Sequence, residues 1–181
     1  MQEEVSDEML MAAIASGDQR SFRTLMGRHM KSTIRLSERI LLSQSDADDV
    51  AQEAFFRVWQ HAPRFDPGRA RFKTWLYRIV LNLALDRKRT KVSEPIETVH
   101  DRPSEDGSAL DQVIEAEQRR RVQSAMAQLP DRQRAAIALF HLEGLSGREA
   151  ALAMQLSEKA FESLLIRARK ALKEIVGGAP A

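Results

Sequence analysis

Apolar residues return every three or four positions through most of the chain, the spacing of a helical face. From Asp7 to Arg28 the series Met9, Leu10, Ala13, Ile14, then Phe22, Leu25 and Met26, is interrupted at Gly17-Asp18. That interruption predicts a helical hairpin with Asp18 as N-cap of its second arm. Met30 to Leu42 reads as a third helix, and Ser45-Asp46 caps a fourth over Ala47–His61 with the stripe Val50, Ala54, Phe55 and Val58. Pro63 and Pro67-Gly68 end it, since proline lacks the amide a helix interior requires. A further helix spans about Phe72 to Lys91, with Trp75, Leu76, Ile79, Leu83 and Leu85 among its apolar residues.

The pattern then lapses. Residues 93–112 contain Pro95, Pro103, Gly107 and several serines without a sustained apolar period, which predicts a flexible linker. Helical spacing resumes over Val113–Gln128, breaks at Leu129-Pro130, and continues over Asp131–Leu142, which Gly144 closes. Two helices remain, about Ser146–Ala153 and Glu158–Ile175, and residues 177–181 read as a disordered tail. The expected fold is all-α, two small helical domains over 1–92 and 113–176 joined by the acidic linker.

Composition narrows the chemistry. The 181 residues are 43% hydrophobic and only 6% aromatic, which disfavours an aromatic-rich β-sandwich or barrel. With no cysteine, disulfides, thiolate zinc, iron–sulfur clusters and a catalytic thiol are all excluded. His29, His61, His100 and His141 lack metal-ligand spacing and no glycine-rich phosphate loop is present, so neither an enzyme, a metal nor a cofactor is expected. No apolar run nears the roughly 20 residues that cross a bilayer. The acidic start, Glu3, Glu4, Asp7 and Glu8, is unlike a signal peptide. Membrane insertion is therefore not expected, and the expected location is cytoplasmic.

Charge is distributed in blocks. Residues 1–60 carry −3, 61–92 carry +7, 93–117 carry −7 and 118–181 carry +5. Two basic blocks around an acidic one suit two surfaces that meet polyanions, although charge runs also simply solvate helix faces. The first basic block interleaves Arg69, Arg71, Phe72, Lys73, Thr74, Trp75, Tyr77, Arg78, Asn82, Arg87, Lys88, Arg89 and Lys91. Single-stranded nucleic acid is bound by such mixtures, cations following phosphates while aromatics stack on bases. Phe72 reads as core, and Trp75 and Asn82 fit either core or recognition. The second block ends in a short helix, a turn and a longer basic helix, either a helix-turn-helix or an ordinary helical hairpin. In its last helix Phe161, Leu164, Leu165, Ala168 and Leu172 share one face, with Lys159, Glu162, Ser163, Ile166, Arg167, Arg169 and Lys170 on the other and Ser157 as N-cap.

Three runs in this order carry a resemblance: Asp48-Asp49-Val50-Ala51-Gln52-Glu53-Ala54-Phe55, Phe72-Lys73-Thr74-Trp75-Leu76-Tyr77-Arg78-Ile79-Val80-Leu81-Asn82, and Leu129-Pro130 followed by the terminal helix pair. From about Asp7 to Leu172 the chain resembles bacterial RNA polymerase sigma factors of the extracytoplasmic function (ECF) family. The resemblance implies sigma domain 2 and sigma domain 4, which bind core RNA polymerase and direct it to promoter DNA, with an anti-sigma factor as a further partner and a stress or envelope-signal regulon. It assigns Asp48, Asp49, Gln52, Glu53 and Arg57 to the β′ clamp coiled coil. It assigns Arg69, Arg71, Lys73, Thr74, Trp75, Arg78, Asn82, Asp86, Arg87 and Lys88 to melting and reading the minus-10 element, with the loop Asp66–Arg71 holding an extruded base. Residues 122–144 are assigned to the β flap, and Ser157, Glu158, Lys159, Glu162, Ser163, Arg167 and Lys170 to the minus-35 element. Three positions depart from the family pattern: Gln155 where a turn glycine is usual, and Glu162 and Leu164 where basic residues are usual. A transcriptional regulator with only the terminal helix-turn-helix would leave the Trp-containing segment unexplained.

Overall fold

The computed structural model describes residues 5–91 and 121–177, so the expected 93–112 linker, the start of the helix expected from Val113 and the end of the tail lie outside the described residues. Helix α1 covers Asp7–Ala15, and the Ser6 hydroxyl accepts from the Met9 amide to begin it. Gly17 (φ +89°) turns the chain, and both Asp18 carboxylate oxygens accept amides of the next first turn, from Arg20 and Ser21. The Ser21 hydroxyl donates to Asp18 Oδ2 as well, at 2.6 Å, and this bond foremost, with those from the amides, holds the Asp18 carboxyl below its ordinary range.

The next helix differs from the sequence expectation. In place of two helices, α2 runs unbroken over Gln19–Leu41. Gly27 lies inside it, and the tolerance of a mid-helix glycine, at about 1 kcal/mol relative to alanine, explains why no break forms. Helix α3 covers Gln44–His61 and is capped by Ser43 rather than by Ser45-Asp46. A short 3₁₀ turn over Ala62–Arg64, with Pro63 inside, closes it. Helix α4 then occupies Phe72–Lys91, as its apolar period predicts.

The second half comprises α5 (residues 121–127), α6 (Asp131–Ile137), α7 (Gly147–Ala153) and α8 (Glu158–Gly177). Between α6 and α7 the chain widens into a π-turn over Ala138–Leu142, in which the Glu143 amide donates to the Ala138 carbonyl at 2.9 Å. Gly144 follows at φ +69°.

The buried apolar residues form one cluster that crosses from the first half to the second. Leu25, Leu36, Ile40, Phe55, Val58, Phe72, Leu76 and Val80 join Leu139, Leu145, Met154, Phe161 and Leu165 within it. At about 25 cal/mol per Å², sharing that core favours contact between the halves. Arg134 stitches the contact: its buried guanidinium donates to the carbonyls of Met126 (2.9 Å), Leu129 (2.8 Å) and, across the halves, Ile40 (2.6 Å). Burial lowers the Arg134 pKa, and the nearby Asp131 carboxylate opposes that shift. No helix among the described residues is long and apolar enough to cross a membrane.

Candidate nucleic-acid interface

Helix α4 positions most of the expected minus-10 residues, and its start is held by the first helix: the Phe72 amide donates to Glu8 Oε1 at 3.1 Å. Phe72 is fully buried, and Trp75 lies half-buried at its edge, its ring 5.3 Å from that of Phe65. Tyr77 is core as well, its ring fully covered. Thr74, expected at the DNA, is 2% exposed and faces inward. Arg69, Arg71, Arg78 and Asp86 are exposed, Lys73 and Asn82 half-buried. The loop before the helix is shaped by Asp66, whose carboxylate accepts the Gly68 amide at 2.9 Å.

Arg87 and Lys88 are engaged within the protein. Arg87 Nε donates to Asp46 Oδ1 at 2.8 Å and Nη2 to Asp49 Oδ2 at 2.7 Å. Burial works against the Arg87 charge, but the Asp46 and Asp49 bonds outweigh it and the pKa rises. This fork ties α4 to the first turn of α3. Lys88 Nζ stands 3.8 Å from Asp131 Oδ1 at the foot of α6. Asp86 accepts from Arg89 at 2.6 Å.

On α3, the apolar stripe Val50, Ala54, Phe55 and Val58 is buried, which turns Asp49, Gln52 and Glu53 outward, with Asp48 and Arg57 half-buried beside them. Arg57 Nε bonds Glu53 Oε1 at 2.9 Å, one turn apart. Phe56 joins this face and is 55% exposed. The sequence reading passed over it because a phenylalanine beside Phe55 looks like core; only the helical phase, one position off the stripe, separates them.

Helix α8 behaves as a two-faced element. Phe161, Leu164, Leu165 and Ala168 are buried, Leu172 is half-buried, and Ser157, Glu158, Lys159, Glu162, Ser163, Arg167 and Lys170 are all exposed. Ser157 Oγ accepts the Ala160 amide at 3.2 Å, as an N-cap does. Leu164, a departure from the family's usual basic residue, points into the core at 8% exposure, on the apolar face the sequence predicts for it. Its place on the Phe161–Ala168 face explains this. The turn before α8 contains Gln155 at φ +56°, the left-handed region where a side chain costs roughly 1–2 kcal/mol. Sequence reasoning also missed Glu143, whose carboxylate accepts from Arg39 Nη1 and from the Tyr77 hydroxyl, each at 2.6 Å. Burial, and then this bond, push the Tyr77 pKa well up.

The geometry therefore presents an acidic, partly apolar α3 face, a basic aromatic α4 segment and an outward-facing α8. Residues 25–94 match the sigma-70 region 2 family model and residues 119–172 the sigma-70 region 4 model. The chain is 33% identical to the RNA polymerase sigma factor CnrH of Cupriavidus metallidurans, over 97% of each chain. This chain belongs to the ECF sigma factors. It is also 32% identical, over 95% of each chain, to the ECF sigma-E factor of Escherichia coli K12. Among solved structures, CnrH in complex with the cytosolic domain of CnrY superposes with a TM-score of 0.73 at 31% identity, covering 96% of this chain and 99% of that one. The sigma factor RpoE of Bartonella quintana, crystallised with the anti-sigma factor NepR, shares the fold at a TM-score of 0.71 and 23% identity, over 89% of this chain and 99% of that one. As an ECF sigma factor, the protein directs transcription initiation and is not an enzyme.

Proposed function

We propose that this sigma factor divides its work between two units, 1–92 and 113–176, as the sequence resemblance implies. The outward residues of α3, Asp48, Asp49, Gln52, Glu53 and Arg57 together with Phe56, dock on the β′ clamp coiled coil. The α4 segment and the 66–71 loop melt and read the minus-10 element through Arg69, Arg71, Lys73, Trp75, Arg78 and Asn82. Residues 122–144 meet the β flap, and the outer face of α8 meets the minus-35 element. The similar RpoE has been crystallised with an anti-sigma factor, and this chain has a partner of that class under our reading, with a regulon answering stress or an envelope signal.

The observation that carries the polymerase assignment is Phe56: a large aromatic side chain more than half exposed amid charged residues. Exposed aromatics of this kind anchor protein interfaces, while surrounding charges set orientation and association rate. The test is competition for core RNA polymerase between the wild type and a Gln52→Ala/Glu53→Arg variant. Glu53 forms only a surface pair with Arg57, worth about 0.3–0.5 kcal/mol, so the variant keeps its circular dichroism and melting temperature. It is expected to lose competition by tenfold or more, about 1.4 kcal/mol. Equal competition by a folded variant removes the α3 assignment.

A further inference from the structure

Three of the residues expected to meet the minus-10 strand, Lys73, Arg78 and Asn82, are already bonded to the other half of the same chain. Lys73 Nζ donates to the Glu143 carbonyl at 2.9 Å, and Arg78 Nη2 to Gln155 Oε1 at 3.1 Å. Gln155 Nε2 in turn donates to Asn82 Oδ1 at 3.2 Å. A cleft of about 550 Å³ lies beside these contacts, lined by Arg71, Lys73, Asp7 and Glu8 of the first half and by Glu149 of the second. The covering groups imitate what nucleic acid offers. The Glu143 carbonyl accepts from Lys73 as a phosphate oxygen would, and the Gln155 side-chain amide pairs with Asn82 and Arg78 as a base edge would.

Besides the shared core and Arg134, which join the halves elsewhere, two features fix this cover on α4. Glu143 is the first: its side chain is 6% exposed, and both carboxylate oxygens are taken by residues of the first half, Arg39 and Tyr77. The π-turn of 138–142 delivers it there, since the Glu143 amide closes that wide turn. Gln155 is the second. Its left-handed backbone sits where a glycine would carry no strain. A glycine has no side-chain amide to place on Arg78 and Asn82, so the strained glutamine has a use that the helix-turn-helix alone does not explain.

We propose that Glu143 and Gln155 form an intramolecular latch, by which the helix-turn-helix half covers the single-strand-binding face of α4 in the free protein. The proposal rests on the minus-10 assignment made above. A covered face lowers apparent affinity by the fraction of molecules that are open. The isolated protein thus binds single-stranded DNA weakly, and a partner that holds the halves apart uncovers the face.

The experiment uses the full chain in three forms: wild type, Glu143→Ala/Gln155→Gly, and Arg39→Ala, which removes one of the two partners of the Glu143 carboxylate without touching the α4 face. Circular dichroism checks that each folds. Small-angle scattering then reads the separation of the halves, and fluorescence anisotropy reads binding to a labelled pool of short, random-sequence single-stranded DNA. Both variants are expected to show a larger radius of gyration and an affinity for the pool raised about fivefold or more, the lower end of ordinary coupling between sites. Folded variants that scatter and bind like the wild type overturn the latch. Opening without a gain in affinity overturns the shielding. In that case Lys73→Ala/Arg78→Ala, placed in the opened variant, locates the failure: a further loss of binding retains the minus-10 assignment, and unchanged binding removes that assignment too.

Discussion

Arg134 shows how much one side chain can organise here. It lies in a run of polar residues, Asp131-Arg132-Gln133-Arg134, that reads as helix surface, yet it is 3% exposed and satisfies carbonyls at the end of α5 and the end of α2. Its replacement by alanine would leave those acceptors buried without donors, and loss of one member of a buried polar network costs about 3–5 kcal/mol. Chemical denaturation of Arg134→Ala is expected to show a loss of that size, with Arg134→Lys recovering only part because a single ammonium cannot reach three diverging carbonyls. A residue of this kind is not legible in sequence: its burial depends on Ile40, ninety-four positions away, and no local period records that. Phe72 and Phe55, in contrast, were legible as core because each falls on an apolar stripe.

At the level of elements, local chemistry and outcome agree on the helices where a cap meets an apolar period, although the α3 cap falls at Ser43, two residues before the expected pair. Helix α7 is the clearest case, with Ser146 Oγ accepting the Glu149 amide and the Glu149 carboxylate accepting the Ser146 amide, a reciprocal capping box. The Ser146 hydroxyl first, then the Ser146 amide, hold the Glu149 pKa below its ordinary 4.5, aided by Arg71 and Lys73. A carboxyl depressed in the folded state stabilises fully above its unfolded pKa and loses that contribution as pH falls through its folded one. Thermal melts of Ser146→Ala are therefore expected to show a deficit of about 1 kcal/mol at neutral pH that narrows below pH 4.5, the wild type losing what the variant already lacks. Helix α2 shows where local signals mislead. The apolar series ending near Arg28 and the one starting at Met30 read as separate helices, but the apolar residues on both sides bury in the same core, and packing outweighs the propensity cost of Gly27 between them.

For the whole molecule, the order of elements and the two-part plan were legible because each half carries its own helical periods and the proline and acidic residues between them interrupt those periods. The contact between the halves was not. Glu143 reads as the last residue before a closing glycine, and Gln155 as a departure from a usual turn glycine; their roles arise from Arg39, Tyr77, Arg78 and Asn82, all more than sixty positions distant. The π-turn that aims Glu143 has a consequence for the chain's length. Deleting a residue from an α-helix turns everything beyond it by about 100°, which ordinarily scrambles the packing downstream. A π-turn already holds one residue more than α geometry needs, so the segment 138–142 can give one up by closing to an ordinary turn. Removal of the exposed His141 is expected to leave a cooperative melt and the helix-turn-helix in register, whereas removal of the buried Ala136 abolishes folding. This one turn is thus where the chain can shorten without losing its fold.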